Sequence, residues 1–151
     1  MRDRDTSAKP IDFADAASAR RVLERRAAAE HVLAMAQHMG HRERVLLEQI
    51  YRHGLSITDV ARLMNVRPRT LQREVRCLLN RIADPEFGFV VAGQELLPRD
   101  VRQVARLVIL EGRALRDAAK RTGLTLHRVR CHLATIRAFA EARRRQFDLA
   151  G

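Results

Sequence analysis

Residues 53–82, HGLSITDVARLMNVRPRTLQREVRCLLNRI, return in outline as residues 111–140, EGRALRDAAKRTGLTLHRVRCHLATIRAFA, at a fixed offset of 58 with no gap. Gly54 falls on Gly112, Asp59 on Asp117, Ala61 on Ala119, Arg62 on Lys120, Val66 on Leu124, Leu71 on Val129 and Val75 on Leu133. Carried upstream, the likeness relates residues 42–82 to residues 99–140. What repeats is a buried-face pattern with a turn at one place, which is how a helix-turn-helix looks in sequence. Such a unit contains no catalytic parts, and its commonest use is to lay a helix in the major groove of DNA. The fold class expected is all-α: two tandem trihelical helix-turn-helix units, with a long N-terminal helix and a short buried connecting helix.

Local chemistry sets the expected boundaries. Residues 1–10 mix charges with Thr, Ser and Pro and are expected to be a disordered tail. The N-terminal helix is assigned to 11–40, with Asp12 as N-cap, Asp15 three residues on, and an uninterrupted run of good helix formers to about His38. Its stripe of Val22, Ala29, Leu33 and Ala36 is expected to be buried; a partner-binding or dimerising helix is the sharper alternative. In the first unit, 41–83, the leading helix offers Val45, Leu46, Leu47, Ile50 and Tyr51, and Gly54 ends it. Ser56 caps a short second helix, Asn65 supplies a tight turn, and Pro68 suits the first position of a third helix with Leu71, Val75, Leu78 and Ile82 buried. The connector, 84–98, opens on Asp84-Pro85-Glu86 and predicts a short buried helix over Pro85–Ala92. The second unit, 99–145, uses Val101, Val104, Ala105 and Val108, turns at Gly123, caps with Thr125, and buries Val129, Leu133, Ile136 and Ala140. Residues 146–151 are read as a tail.

Charge is concentrated where the repeats are. The formal charge is +11, divided as +1 over 1–41, +5 over 42–82, −3 over 83–98, +9 over 99–145 and −1 over the rest. A polyanion-binding chain needs that arrangement, since each neutralised phosphate releases counterions. A bias toward Arg codons accounts for 27 Arg against 2 Lys, but not for the clustering. Hydrophobic residues make up 46% of the chain, enough for a packed interior. No apolar run approaches the roughly 20 residues of a membrane span, and MRDRDTSAKP lacks a signal-peptide core. The expected location is cytoplasmic, on the nucleoid of a bacterium. Cys77 and Cys131 stand alone, and Cys131, His132 and His127 lack a fourth ligand at finger spacing, so no metal or cofactor is expected. With no phosphate loop, nucleophile triad or paired carboxylates, the chain does not read as an enzyme.

The third helix of each unit buries one stripe and presents the opposite face near its N-terminus. In the first unit that face carries Arg69, Gln72, Arg73 and Arg76, with Arg67 just before the helix. Arg donates two hydrogen bonds to a guanine edge, and Gln pairs with adenine. The second unit offers His127, Arg130, Cys131 and Ala134, with Arg128 beside them and Thr125 at the cap. Having fewer long readers, it is expected to lean on phosphate contacts from Arg113, Arg116 and Arg121. Arg143-Arg144-Arg145 is less specific, being equally suited to the negative end of a helix.

Residues 52–82 resemble the helix-turn-helix in region four of bacterial sigma factors. Gly54, Ser56, Asp59, Val60, Ala61, Thr70 and Leu71 fit that pattern; Asn65 replaces the turn glycine and Arg67 a capping Ser. The second repeat is similar to region four and also to KorA/TrfB-type plasmid transcriptional repressors, through Gly112, Ala119, Gly123, Leu124, Thr125 and Val129. The likenesses cover about 80 of the 151 residues. They imply a transcriptional regulator with double-stranded DNA as partner and contacts at Arg69, Gln72, Arg73, Arg128 and Arg130. The competing reading is a region-four-like module that docks on RNA polymerase or another protein and recruits it to DNA. An apolar patch on one unit with the basic face confined to the other would favour it. Non-specific RNA binding is disfavoured by the scarcity of aromatics, Tyr51 and five Phe.

Overall fold

A computed structural model of the chain describes residues 13–150, and all of its regular structure is helical. The expected tail at 1–10 and the Asp12 cap lie outside the described residues. Helix α1 (Phe13–Ala36) leads into α2 (His41–Tyr51), α3 (Ile57–Leu63) and α4 (Pro68–Ala83). After α5 (Pro85–Gly93) and one tight turn, α6 (Arg99–Ala105) runs into a wider π-type turn at Arg106–Leu110. Then come α7 (Leu115–Thr122) and α8 (Leu126–Ala150). Three helix starts repeat at the sequence offset of 58: His41 and Arg99, Ile57 and Leu115, Pro68 and Leu126.

Turn chemistry explains that register. Gly54 and Gly112 end their helices with φ of 67° and 66°, and Asn65 and Gly123 make the later turns with φ of 54° and 70°. The left-handed region is open to Gly and tolerated by Asn, so these four positions break the chain where the pattern breaks. On the helices around the turns, four pairs of equivalent positions are buried alike. Leu46 and Val104, Leu47 and Ala105, Val60 and Ala118, and Leu71 and Val129 are all 2% exposed or less.

After α4 and α8 the two segments part company, and Pro85 is the reason. Proline disfavours helical geometry in the residue before it, and Asp84 is extended with ψ 128°. The chain breaks there and restarts as α5, with the Asp84 side chain accepting from the Glu86 amide at 2.8 Å. In the second segment the corresponding residues are Ala142 and Arg143, and α8 runs straight on to Ala150, past the limit at 145 expected for that unit. α5 returns across the body and buries Phe87 and Val90 completely. One continuous core therefore holds Leu46, Leu47, Leu71 and Val75 together with Phe87, Val90, Ile109, Leu110 and Ile136. A smaller cluster of Val104, Ala118 and Val129 serves α6, α7 and α8 alone.

Two expectations need correction. The α1 stripe is buried only at its C-terminal end: Ala36 is inaccessible, Ala29 and Leu33 are half-buried, and Val22 is 61% exposed. Its covering layer, α2 and α4, meets only the later turns of α1, and Met39, beyond the helix, joins the core instead. The leading helix of the second segment does not continue in α geometry beyond Ala105. Its wider turn swings Ile109 and Leu110 into the shared core, which the sequence reading missed.

Arg81 of α4 ties the two segments directly. Its Nη1 donates to Glu43 Oε1 of α2 at 3.1 Å, and its Nη2 bonds Glu43 Oε2 and also the Leu110 carbonyl, at 3.2 Å. Glu43 Oε2 accepts the Gly40 amide as well, at 3.3 Å, closing the start of α2. A methyl group on Gly112 would sit 2.1 Å from Arg81 Nη1, whereas one on Gly54 would meet nothing within 4 Å. The two glycines share a backbone conformation but not a neighbour. Gly54→Ala is expected to cost about 1–2 kcal/mol, the left-handed strain alone. Gly112→Ala should cost clearly more, and the excess should vanish in an Arg81→Ala background. Denaturant unfolding of the four variants checks this double-mutant cycle.

Candidate nucleic-acid interface

The exposed side of α4 is built by its buried side. Leu71, Val75, Leu78 and Ile82 occupy one stripe, so Arg69, Arg73 and Arg76 line the opposite one, with Gln72 on its flank. All four are exposed, as is Arg67 immediately before the helix. Asn80 continues the same row by helical spacing and is exposed; the sequence reading missed it. Arg67, Arg69, Arg73 and Arg76 make no ion pair among the described residues. Glu74, the one acid of α4, is held by Arg42 of α2 at 3.2 Å, on the side away from that row. A cationic row with its nearby carboxylate occupied elsewhere presents its charge undiminished.

α8 carries the matching face with different chemistry. His127, Arg128, Arg130 and Cys131 are all exposed opposite Val129 and Ile136. In the row equivalent to Arg69, Arg73, Arg76 and Asn80 stand His127, Cys131, Ala134 and Ala138. Cys131 Sγ lies 3.5 Å from His127 Nε2, which ties the two polar members of that row to each other. The neighbouring His132 points its Nε2 inward, where it finds no partner, and among the described residues no three metal-ligating side chains converge. Both cysteines are free thiols.

Flanking cations divide into engaged and free. Arg113 reaches Glu111 at 2.9 Å and Asp117 at 3.3 Å, and Arg121 also reaches Asp117, at 3.2 Å. The Glu111 hydrogen bond holds the Arg113 guanidinium above its ordinary pKa, against a smaller opposing effect of desolvation. Arg116, exposed at the start of α7, has no such partner among the described residues. Of the three expected phosphate contacts, only Arg116 is therefore unneutralised. Arg137 is occupied as well: the bond to Glu86 at 2.6 Å raises its pKa and joins α8 to α5. Arg143 lies 5.8 Å over the Phe147 ring, on the last turns of α8.

Helices α4 and α8 start differently. Thr125 accepts the Arg128 amide at 3.2 Å and caps α8, while at the same place before α4 stands Arg67, whose side chain caps nothing. Away from both faces lie two apolar grooves. One of about 480 Å³ lies between α2 and α3, along Val45, Gln49, Leu63 and Met64. Another of about 360 Å³ runs between α5, α6 and α8, along Phe89, Leu96, Pro98, Val101 and Phe139. No described helix is long and apolar enough to cross a membrane.

The model of a helix-turn-helix domain family matches residues 36–76, which take in α2, α3 and the first half of α4. No curated protein matches the chain, and no solved structure does.

An uncapped helix start is a local instability that a substitution can relieve. Arg67→Thr, which places the second segment's cap before α4, should raise stability by about 0.5–1 kcal/mol. Thr125→Ala should lower it by about 1 kcal/mol. Thermal and chemical denaturation of the two variants measure both signs.

Proposed function

We propose that this protein is a sequence-specific DNA-binding regulator of transcription, with a helix-turn-helix unit in each three-helix segment. The observation that carries the reading is the unpaired row of Arg69, Arg73 and Arg76 beside Gln72, on the third helix of the segment that matches a helix-turn-helix family. In that architecture the third helix enters the major groove, where Arg and Gln recognise guanine and adenine edges. Arg67, at the uncapped start of α4, is placed to meet the backbone there. The likeness to sigma region four and to KorA/TrfB-type repressors supports a role in transcription.

The second unit serves chiefly as an anchor in this reading. Arg116, Arg128 and Arg130 supply phosphate contacts, the Thr125 cap orients the helix start, and His127 and Cys131 give a short, weakly discriminating contact to the groove. Phosphate contacts position a protein, and base contacts specify its site. A second reading is favoured by the apolar groove at Leu96 and Phe139, where Leu96 is 90% and Phe139 59% exposed. It lies against the unit with the poorer reading face, as a module that reads DNA with one unit and meets RNA polymerase or another protein with the other would have it, although the first unit carries an apolar groove of its own between α2 and α3. The exposed stretch of α1 at Val22 and Leu23 offers a place for a homodimer contact.

Binding to duplex DNA should weaken steeply with salt, because several phosphates are neutralised together. A flat salt titration would overturn the proposal. Arg73→Ala should cost about 1–3 kcal/mol on the preferred site and much less on scrambled DNA. Arg116→Ala should weaken all sequences alike and reduce the salt slope by about one unit. Arg121→Ala, whose charge Asp117 already neutralises, should change the slope less. Equal losses on target and scrambled duplexes for Arg73→Ala would make α4 a clamp and not a reader.

A further inference from the structure

We infer that Arg81 sets the angle between the two three-helix segments, and with it the spacing of the DNA contacts that a single molecule can make. The part concerning DNA rests on the function proposed above; the part concerning the angle does not.

The apolar contact between the segments brings them together, but it sets their orientation less sharply than a directional bond does. Phe87, Val90, Ile109, Leu110 and Ile136 form it, and hydrophobic contact is non-directional. Hydrogen bonds are directional, and Arg81 makes three of them, one of which crosses the joint while the other two hold the guanidinium in place. Two go to Glu43 in the first segment, and one goes to the Leu110 carbonyl at the end of the second segment's leading helix. The guanidinium lies close against the backbone at Gly112, where only a glycine leaves room for it. The pair is well shielded, each side chain being 22% exposed, so solvent screens it less than the surface pairs of α1.

Comparison of the two segments separates this role from simple stabilisation of one unit. The residues equivalent to Glu43 and Arg81 at the offset of 58 are Val101 and Phe139. They too line a common site, the groove between α5, α6 and α8. The three-helix arrangement thus forms with an apolar pair at these positions, and an ion pair is not required to build it. What distinguishes the Glu43–Arg81 position is that the other segment docks there. Phe139 has no such neighbour and stays 59% exposed. The charged pair stands where a direction must be imposed on a partner segment, and the apolar pair where none is.

The native cysteines provide the test. Cys77 on α4 and Cys131 on α8 are free and exposed, one in each segment, so nitroxide labels on both report the angle without added residues. Pulsed dipolar spectroscopy on the full chain without DNA should give one narrow distance distribution. Glu43→Gln/Arg81→Met, which removes both charges at nearly constant volume, should widen it and shift its centre. An unchanged distribution would overturn the inference. Should the double variant lose its helical circular dichroism, Arg81→Lys is read in the same way. It keeps a charge toward Glu43 but cannot hold both Glu43 oxygens and the Leu110 carbonyl, and an unchanged distribution there would equally overturn the inference. Duplexes carrying the preferred site with a randomised internal spacer then test the consequence. The native protein should penalise a one-base-pair change by about tenfold, and the double variant should lose most of that penalty. A widened distribution with no spacing preference in the native protein would leave Arg81 as the hinge pin and refute two-headed DNA binding instead.

Discussion

Burial of Phe87 is the contact on which the rest of the fold depends. The second segment's own cluster contains only Val104, Ala118 and Val129 at full burial, and none of those three side chains is larger than valine. A cluster of that size offsets little of the conformational entropy of ordering three helices. α5 supplies the difference by lying against the π-type turn and α8, with Phe87 and Val90 inaccessible in a core that reaches back to Leu46 and Leu71. Full burial of each such side chain contributes about 1.5–3 kcal/mol. The segment without net positive charge, which sequence alone shows as a gap between basic repeats, is the structural centre of the chain.

From that centre the chain sorts its arginines into two populations. Some are paired in place: Arg81 with Glu43, Arg137 with Glu86, Arg42 with Glu74, Arg113 with Glu111 and Arg121 with Asp117. Those on the outer row of α4 have no such partner among the described residues. A net charge of +11 would by itself predict attraction to any polyanion. The sorting gives that charge a location, on the exposed side of a helix whose other side is anchored by four buried residues.

Differences at single positions account for several contrasts between the halves. Pro85 against Arg143 decides whether the chain folds back as α5 or runs on as the end of α8. Arg67 against Thr125 exchanges a helix cap for a charge beside the exposed row of α4. Arg73 against Cys131 exchanges a long cation for a short side chain held by His127. The last two exchanges place a cation in the first unit where the second has a cap or a short side chain.

The sequence by itself determined whatever depends on residues a few positions apart. The left-handed turns at Gly54, Asn65, Gly112 and Gly123, the caps at Ser56, Asp84 and Thr125, the helix-starting prolines and the buried stripes of α4 and α8 were all legible, because each arises within about one helical turn. The cationic row of α4 was legible for the same reason, as the complement of its buried stripe. Tertiary structure alone decided which charges are used up and which faces are covered. Glu43 and Arg81 are 38 residues apart, and Glu86 and Arg137 are 51 apart, so no local pattern marks either pair. The exposure of Val22 and the burial of Ile109 and Leu110 were hidden likewise. An apolar stripe states that a face can be buried, but only the arrangement of distant helices provides something to bury it.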